Sequence, residues 1–99
     1  MSYAVIHRFP GATEQQYEAS RAAVHPADGL PEGQVAHFAG PSEDGWIIVA
    51  VHDSQASWER FRDETLAPRL QAGVEGGFTG LPIETTFEVS NEEHAPAPA

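Results

Sequence analysis

The sequence predicts an α+β fold with four strands and two helices in the order β-α-β-β-α-β. Three observations carry this. Runs rich in β-branched and aromatic residues recur at 3–9, 34–39, 46–52 and 83–89. Two stretches at helical spacing, 14–24 and the segment after Ser54, lie between the first and second runs and between the third and fourth. Clusters of Pro and Gly punctuate the rest.

Residues 3–9 (YAVIHRF) form the first strand, and Pro10-Gly11 stops it. Thr13 is an N-cap, and Thr13-Glu14-Gln15-Gln16 fits the capping box with Gln16 at its third helical position. The helix that follows puts Tyr17, Ser20, Arg21 and Val24 on one weakly apolar stripe. Residues 25–33 (HPADGLPEG) are a loop, which leaves His25 solvated. The strand 34–39, the turn 40–45 and the most apolar strand, 46–52, form a hairpin. Ser54 caps the second helix, with Asp53 the competing cap, and Trp58, Phe61, Thr65 and Leu66 recur along it. Pro68 cannot donate a backbone N–H, so it kinks or restarts this helix. Residues 73–82 (GVEGGFTGLP) are a flexible connection, read as a mobile flap. In 83–89, Ile83, Thr85, Phe87 and Val89 alternate with polar neighbours. Residues 1–90 make one domain, and 91–99 are a disordered Pro-Ala tail.

This order fits the ferredoxin-like split βαβ arrangement, with an antiparallel sheet ordered 4-1-3-2 and both helices on one face. Both faces of that sheet read as apolar. Val5 and Phe9 oppose Ala4 and Ile6, while Trp46, Ile48 and Ala50 oppose Ile47, Val49 and Val51. Such a sheet needs two covers. The helices supply one, and a second subunit closing sheet to sheet is the expected other, so a homodimer is predicted.

Composition narrows the function. Fifteen acidic and five basic residues give a net charge of −10, which argues against nucleic acid and against anionic membrane surfaces. With no cysteine there is no disulfide, thiolate nucleophile or Cys-held metal. No stretch is long enough to span a bilayer and none looks like a secretory leader, so a cytoplasmic location is the expectation. No dinucleotide, phosphate-loop or nucleophile-elbow motif occurs, and the histidines match no local ligand motif. The expectation is a protein without metal or cofactor.

Five histidines in a chain of 99 residues mark the candidate site. If the four-residue turn Pro41–Asp44 sets the hairpin register, His37 lies opposite Ile48. If the first and third strands align end to end, His7 lies opposite the same residue. The two imidazoles then face the helices from one row, roughly 10 Å apart. The predicted pocket is lined by Val5, Phe9, Trp46, Ile48, Trp58 and Phe61, and His52 shares its face by parity as a further substrate-binding candidate. Apolar walls with a few placed polar groups suit an aromatic or apolar small molecule. His37 and His7 are the candidate catalytic residues, since imidazole takes a proton from a phenol or enol near neutral pH. A second histidine, Arg8 or Arg60 would steady the resulting anion. The competing reading makes them hydrogen-bonded residues of the sheet or of the dimer seam, Trp58 and Phe61 plain core, and His52 a polar strand end.

The stretch VAVHDSQASWERFRDETLAPRL, the segment LPEGQVAHFAG and the element order resemble the dimeric α/β-barrel superfamily. Within it, the chain is similar to small antibiotic-biosynthesis-monooxygenase-like proteins over about residues 3–90. Many of these carry Trp before the acidic/Ser turn, where this chain has His52. The resemblance implies a cofactor-free monooxygenase or an isomerase/cyclase acting on an aromatic or polyketide-like compound. The alternative is a non-catalytic dimeric binder of small ligands.

Overall fold

A computed structural model describes residues 1–96, so positions 97–99 of the expected tail lie outside the described residues. The elements are β1 (Tyr3–Pro10), α1 (Glu14–Val24), β2 (Gln34–Ser42), β3 (Gly45–His52), α2 (Gln55–Phe61), a π-helical turn (Arg62–Leu66), α3 (Ala67–Ala72) and β4 (Ile83–Glu88). The sheet runs β2-β3-β1-β4 with every pairing antiparallel, which is the ferredoxin-like order. Residues 91–96 adopt no regular element.

Local chemistry explains the boundaries. Thr13 accepts from the Gln16 backbone N–H, and the Gln16 side chain accepts from the Thr13 N–H, completing the capping box. Ser54 caps α2 by accepting from the Ser57 backbone N–H. The second helix restarts at Pro68, as the missing N–H requires. It opens into a π-turn just before it, with the Ala67 N–H bonded to the Arg62 carbonyl. A proline ring crowds the carbonyl four residues back and brings no N–H to it. The wider turn relieves both problems, and α3 resumes with Pro68 in its first turn.

The register partly departs from expectation. His7 pairs with Ile48, as the end-to-end alignment requires. His37 pairs with Ala50, and Ala39 takes the place opposite Ile48. The cause is a tighter hairpin: β2 continues to Ser42, which pairs with Gly45, leaving a two-residue turn. The shift is two residues, so His37 keeps its face but leaves the His7–Ile48 row. A bulge between Gln34 and Ala36 adds one residue to β2 at its start.

The core lies between sheet and helices. Val5, Phe9, Trp46, Ala50 and Trp58 are buried there, with Tyr17 from α1. On the opposite face, Ile6, Ile47, Val49 and Val51 are partly exposed. Phe38 is 63% exposed, Ile83 57% and Phe87 49% on the flanking strands. Register pairs them in rows across the sheet, Phe87–Ala4–Val51 and Thr85–Ile6–Val49–Phe38. Among the described residues, no helix is long and apolar enough to cross a membrane.

Candidate functional site

A partly open cavity of about 80 Å³ lies between the sheet and the helices. Val5, His7 and Phe9 come from β1, Ile48 and Ala50 from β3, and Gln34 and His37 from β2. Tyr17, Ser20, Arg21 and Val24, the stripe read from the sequence, form the α1 wall. Trp58, Phe61, Leu66 and Leu70 form the opposite wall. The π-turn sits between Phe61 and Leu70, so it sets their relative rotation. The volume holds a few waters or one small ring, well below the roughly 300–1,000 Å³ of drug-sized sites.

Phe78 closes one end. Its ring stacks on Phe9 with centroids 3.7 Å apart and planes within 8°. Its backbone N–H donates to Ser20 Oγ at 3.0 Å. The glycine-rich connection is therefore tied to both β1 and α1 at this point.

The polar groups form one continuous chain. Tyr17 Oη and His37 Nε2 are 2.7 Å apart, His37 Nδ1 and Gln34 Oε1 2.9 Å, and Gln34 Nε2 and His52 Nε2 3.3 Å. The amide assigns the protons. Gln34 Oε1 only accepts, so Nδ1 of His37 carries a proton. In the neutral ring Nε2 then holds a lone pair and accepts from the Tyr17 hydroxyl. At the far end, the amide nitrogen only donates, so His52 Nε2 accepts and its Nδ1 holds the proton. That Nδ1 has no partner, although His52 is fully buried. An orphaned buried donor costs roughly 1–3 kcal/mol.

Burial lowers the pKa of His37, with a smaller contribution from the charge of Arg21. Burial likewise lowers that of His52, while Asp53 opposes it weakly. His25 is not solvated: its ring stands edge-on to His37 at 4.8 Å on the cavity wall. Burial, His37 and Arg21 push its pKa down to about 4. Burial raises the Tyr17 pKa. His25, His37 and His52 are thus neutral and Tyr17 keeps its proton at neutral pH.

These shifts fix the sign of a pH effect on stability. An unfolded histidine takes up its proton near pH 6.5. As pH falls from there to about 4, the unfolded chain binds a proton that folded His25 refuses, so stability drops across that window and this contribution levels off below it. Urea midpoints measured stepwise from neutral pH to about pH 4 should fall, and His25→Gln should flatten part of the decline. An equal decline in His25→Gln would remove His25 as a cause.

The remaining sequence candidates are placed as follows. Phe9, Ile48, Trp58 and Phe61 line the cavity. His7 also reaches it, but its Nε2 is held by Glu84 on β4 at 2.8 Å, and its ring packs against Trp58 and Phe9. Trp46 faces the same side and contacts Tyr17 with centroids 5.3 Å apart, yet lies outside the lining. His52 is enclosed behind the wall, between Trp58 and Phe61. Arg8 is exposed on β1, and Arg60 borders a separate depression with Glu32 and Glu64. The guanidinium side chain at the cavity is that of Arg21, which also pairs with Glu18 at 2.8 Å. Among the described residues, no group of three or more His, Cys, Asp or Glu side chains is placed to hold a metal ion.

Fold and topology define an α+β protein of ferredoxin-like architecture with a cavity beneath the helices. In structure it is similar to Rv0793 from Mycobacterium tuberculosis, at a TM-score of 0.69 and 18% identity, over 95% of this chain and 100% of that one. At that identity the likeness speaks to the fold. No protein-family model matches the sequence, and the curated proteins provide no match.

Proposed function

We propose that this protein is a small cofactor-independent enzyme acting on an aromatic or polyketide-like molecule in the cavity, monooxygenase-like, with His37 as the base. One observation carries the reading: a neutral imidazole stands in a largely apolar cavity, with Nδ1 occupied by Gln34 and the Nε2 lone pair turned to the Tyr17 hydroxyl. The resemblance to antibiotic-biosynthesis-monooxygenase-like proteins supports it. An acidic ring compound, phenol or enol, gives its proton to this end of the site and becomes an electron-rich anion. The anion then reduces dioxygen. For a ring methylene, one oxygen atom becomes the new carbonyl and the other leaves as water with the two hydrogens. Arg21 lies at the same end to steady the anion, and His7, held by Glu84, supplies a second polar contact across the cavity. A substrate larger than one small ring needs Phe78 to leave the face of Phe9, since the cavity of about 80 Å³ holds no more.

The test is oxygen uptake by the metal- and flavin-free protein over a panel of phenols and anthrones. One dioxygen consumed per product formed supports the reading. A compound that binds and is recovered unchanged makes the protein a binder. No uptake and no isomerised product across the panel removes the oxygenase.

The protein is further proposed to act as a homodimer, closed over the face carrying Phe38, Val49, Ile6 and Phe87. Those rows are apolar but for Thr85, cross all four strands and are covered by none of the chain's own helices. Phe38→Glu is expected to weaken self-association by roughly 30-fold or more, the equivalent of losing a 2 kcal/mol contact. Sedimentation equilibrium of both chains checks this, and a monomeric wild type would remove the dimer.

A further inference from the structure

Gln34 is a buried amide whose Oε1 and Nε2 each meet an imidazole, the pairing that a buried polar group requires. A simple sheet would not place it there. Gln34 and His37 are three residues apart, so strict alternation would put them on opposite faces. The bulge between Gln34 and Ala36 reverses the parity and brings the amide under the imidazole.

We propose that Gln34 is a positioning residue that decides which nitrogen of His37 is basic. Its Oε1 takes the Nδ1 proton, leaving Nε2 with the lone pair that faces Tyr17 and the cavity. With the amide turned round, its NH2 would meet Nδ1. The proton would then sit on Nε2, and His37 could only donate toward the cavity. His52 lies behind the amide, its Nε2 accepting from Gln34 Nε2 at 3.3 Å. The proton step has a simple balance. A ligand O–H donates to Tyr17 Oη as the Tyr17 proton passes to His37 Nε2, leaving a ligand anion and an imidazolium with no net charge created. The imidazolium keeps its Nδ1–H on Gln34, so the bond that selected the tautomer also stabilises the charged form. The other groups around His37 are Tyr17 and Arg21 from α1 and His25 from the loop after it.

This inference rests on the reading of His37 as a base, but its test needs no substrate. Long-range proton–nitrogen NMR correlations on nitrogen-15-labelled protein report which ring nitrogen of each histidine is protonated. In the wild type, neutral His37 should hold its proton on Nδ1. In Gln34→Leu the proton should move largely to Nε2, where Tyr17 Oη accepts it. In Gln34→Glu, the tautomer should stay Nδ1–H and the His37 titration midpoint should rise by about one unit or more, since a carboxylate favours the imidazolium. Wild-type His37 protonated on Nε2, or an unchanged tautomer in folded Gln34→Leu, overturns the proposal. Should Gln34→Leu fail to fold, the Gln34→Glu titration decides alone: no rise overturns it. If the tautomers behave as expected but no compound is turned over, the enzyme reading fails and the positioning role of Gln34 stands.

Discussion

Replacing His37 by alanine is expected to lower kcat/KM on a phenolic or enolic substrate by roughly 10²–10⁴-fold, the usual contribution of a positioned general base. The change removes the Nε2 lone pair that receives the proton from the Tyr17 side, and among the described residues no other group takes its place. His25 stands edge-on to the vacated position, but its low proton affinity makes it a poor base. His7 is engaged with Glu84. The pH profile supplies the sharper readout. The wild-type rate should rise with pH through a midpoint below the ordinary histidine value, because burial disfavours the imidazolium, and His37→Ala should lose that limb. Substitution should not unfold the protein, since the ring is only half-buried at the cavity edge. Melting curves of both chains provide the control. A folded His37→Ala with near-wild-type kcat/KM would assign the base elsewhere.

Trp58→Ala is expected to cost about 3–5 kcal/mol of stability. A domain this size has roughly 5–15 kcal/mol in total, so the variant should sit near the edge of folding. Trp58 is 3% exposed. It touches the rings of His7, His52 and Phe61, with centroids 5.8, 5.5 and 6.3 Å away. It therefore joins β1, β3 and the second helix at one point. Its loss opens a void beside His52, whose unpartnered Nδ1 would gain access to water. That rehydration sets the lower end of the range. Urea denaturation should show the midpoint shift, and Trp58→Phe should recover most of it. A loss below about 1 kcal/mol would mean that the neighbours collapse into the void.

Much of this architecture was legible in the sequence, because the signals were local. The capping box at Thr13, the cap at Ser54 and the strand runs each rest on contacts within a few residues. The helix stripe Tyr17–Ser20–Arg21–Val24 was legible for the same reason. So was the pairing of His7 with Ile48, since two strands of equal length align end to end. The site was less legible. Reading the hairpin with a four-residue turn displaced His37 by two positions, because Pro41 and Ser42 resemble turn residues but belong to β2. His25 was assigned to solvent by its Pro- and Gly-rich surroundings. Its spacing of four from Arg21 and eight from Tyr17 would have placed it on the α1 stripe. Gln34 was invisible because a bulge, which leaves no pattern in sequence, put it on the site's face. Phe78 was hidden in a glycine-rich stretch, where composition speaks for flexibility and one aromatic ring outweighs it.

The π-turn at residues 62–66 has a consequence for the chain's arithmetic. A helix wound at five residues per hydrogen-bonded step carries one residue more than an α-helix of the same reach. Winding Gln55 to Ala72 as one uninterrupted α-helix, with no residue removed, would rotate everything beyond the turn by about 100°. Leu70 would leave the cavity wall, and the lead-in to Phe78 would start from the wrong side of the helix. The surplus residue works as a phase offset. It lets two halves of one helix, each regular in itself, present Phe61 and Leu70 to the same small space.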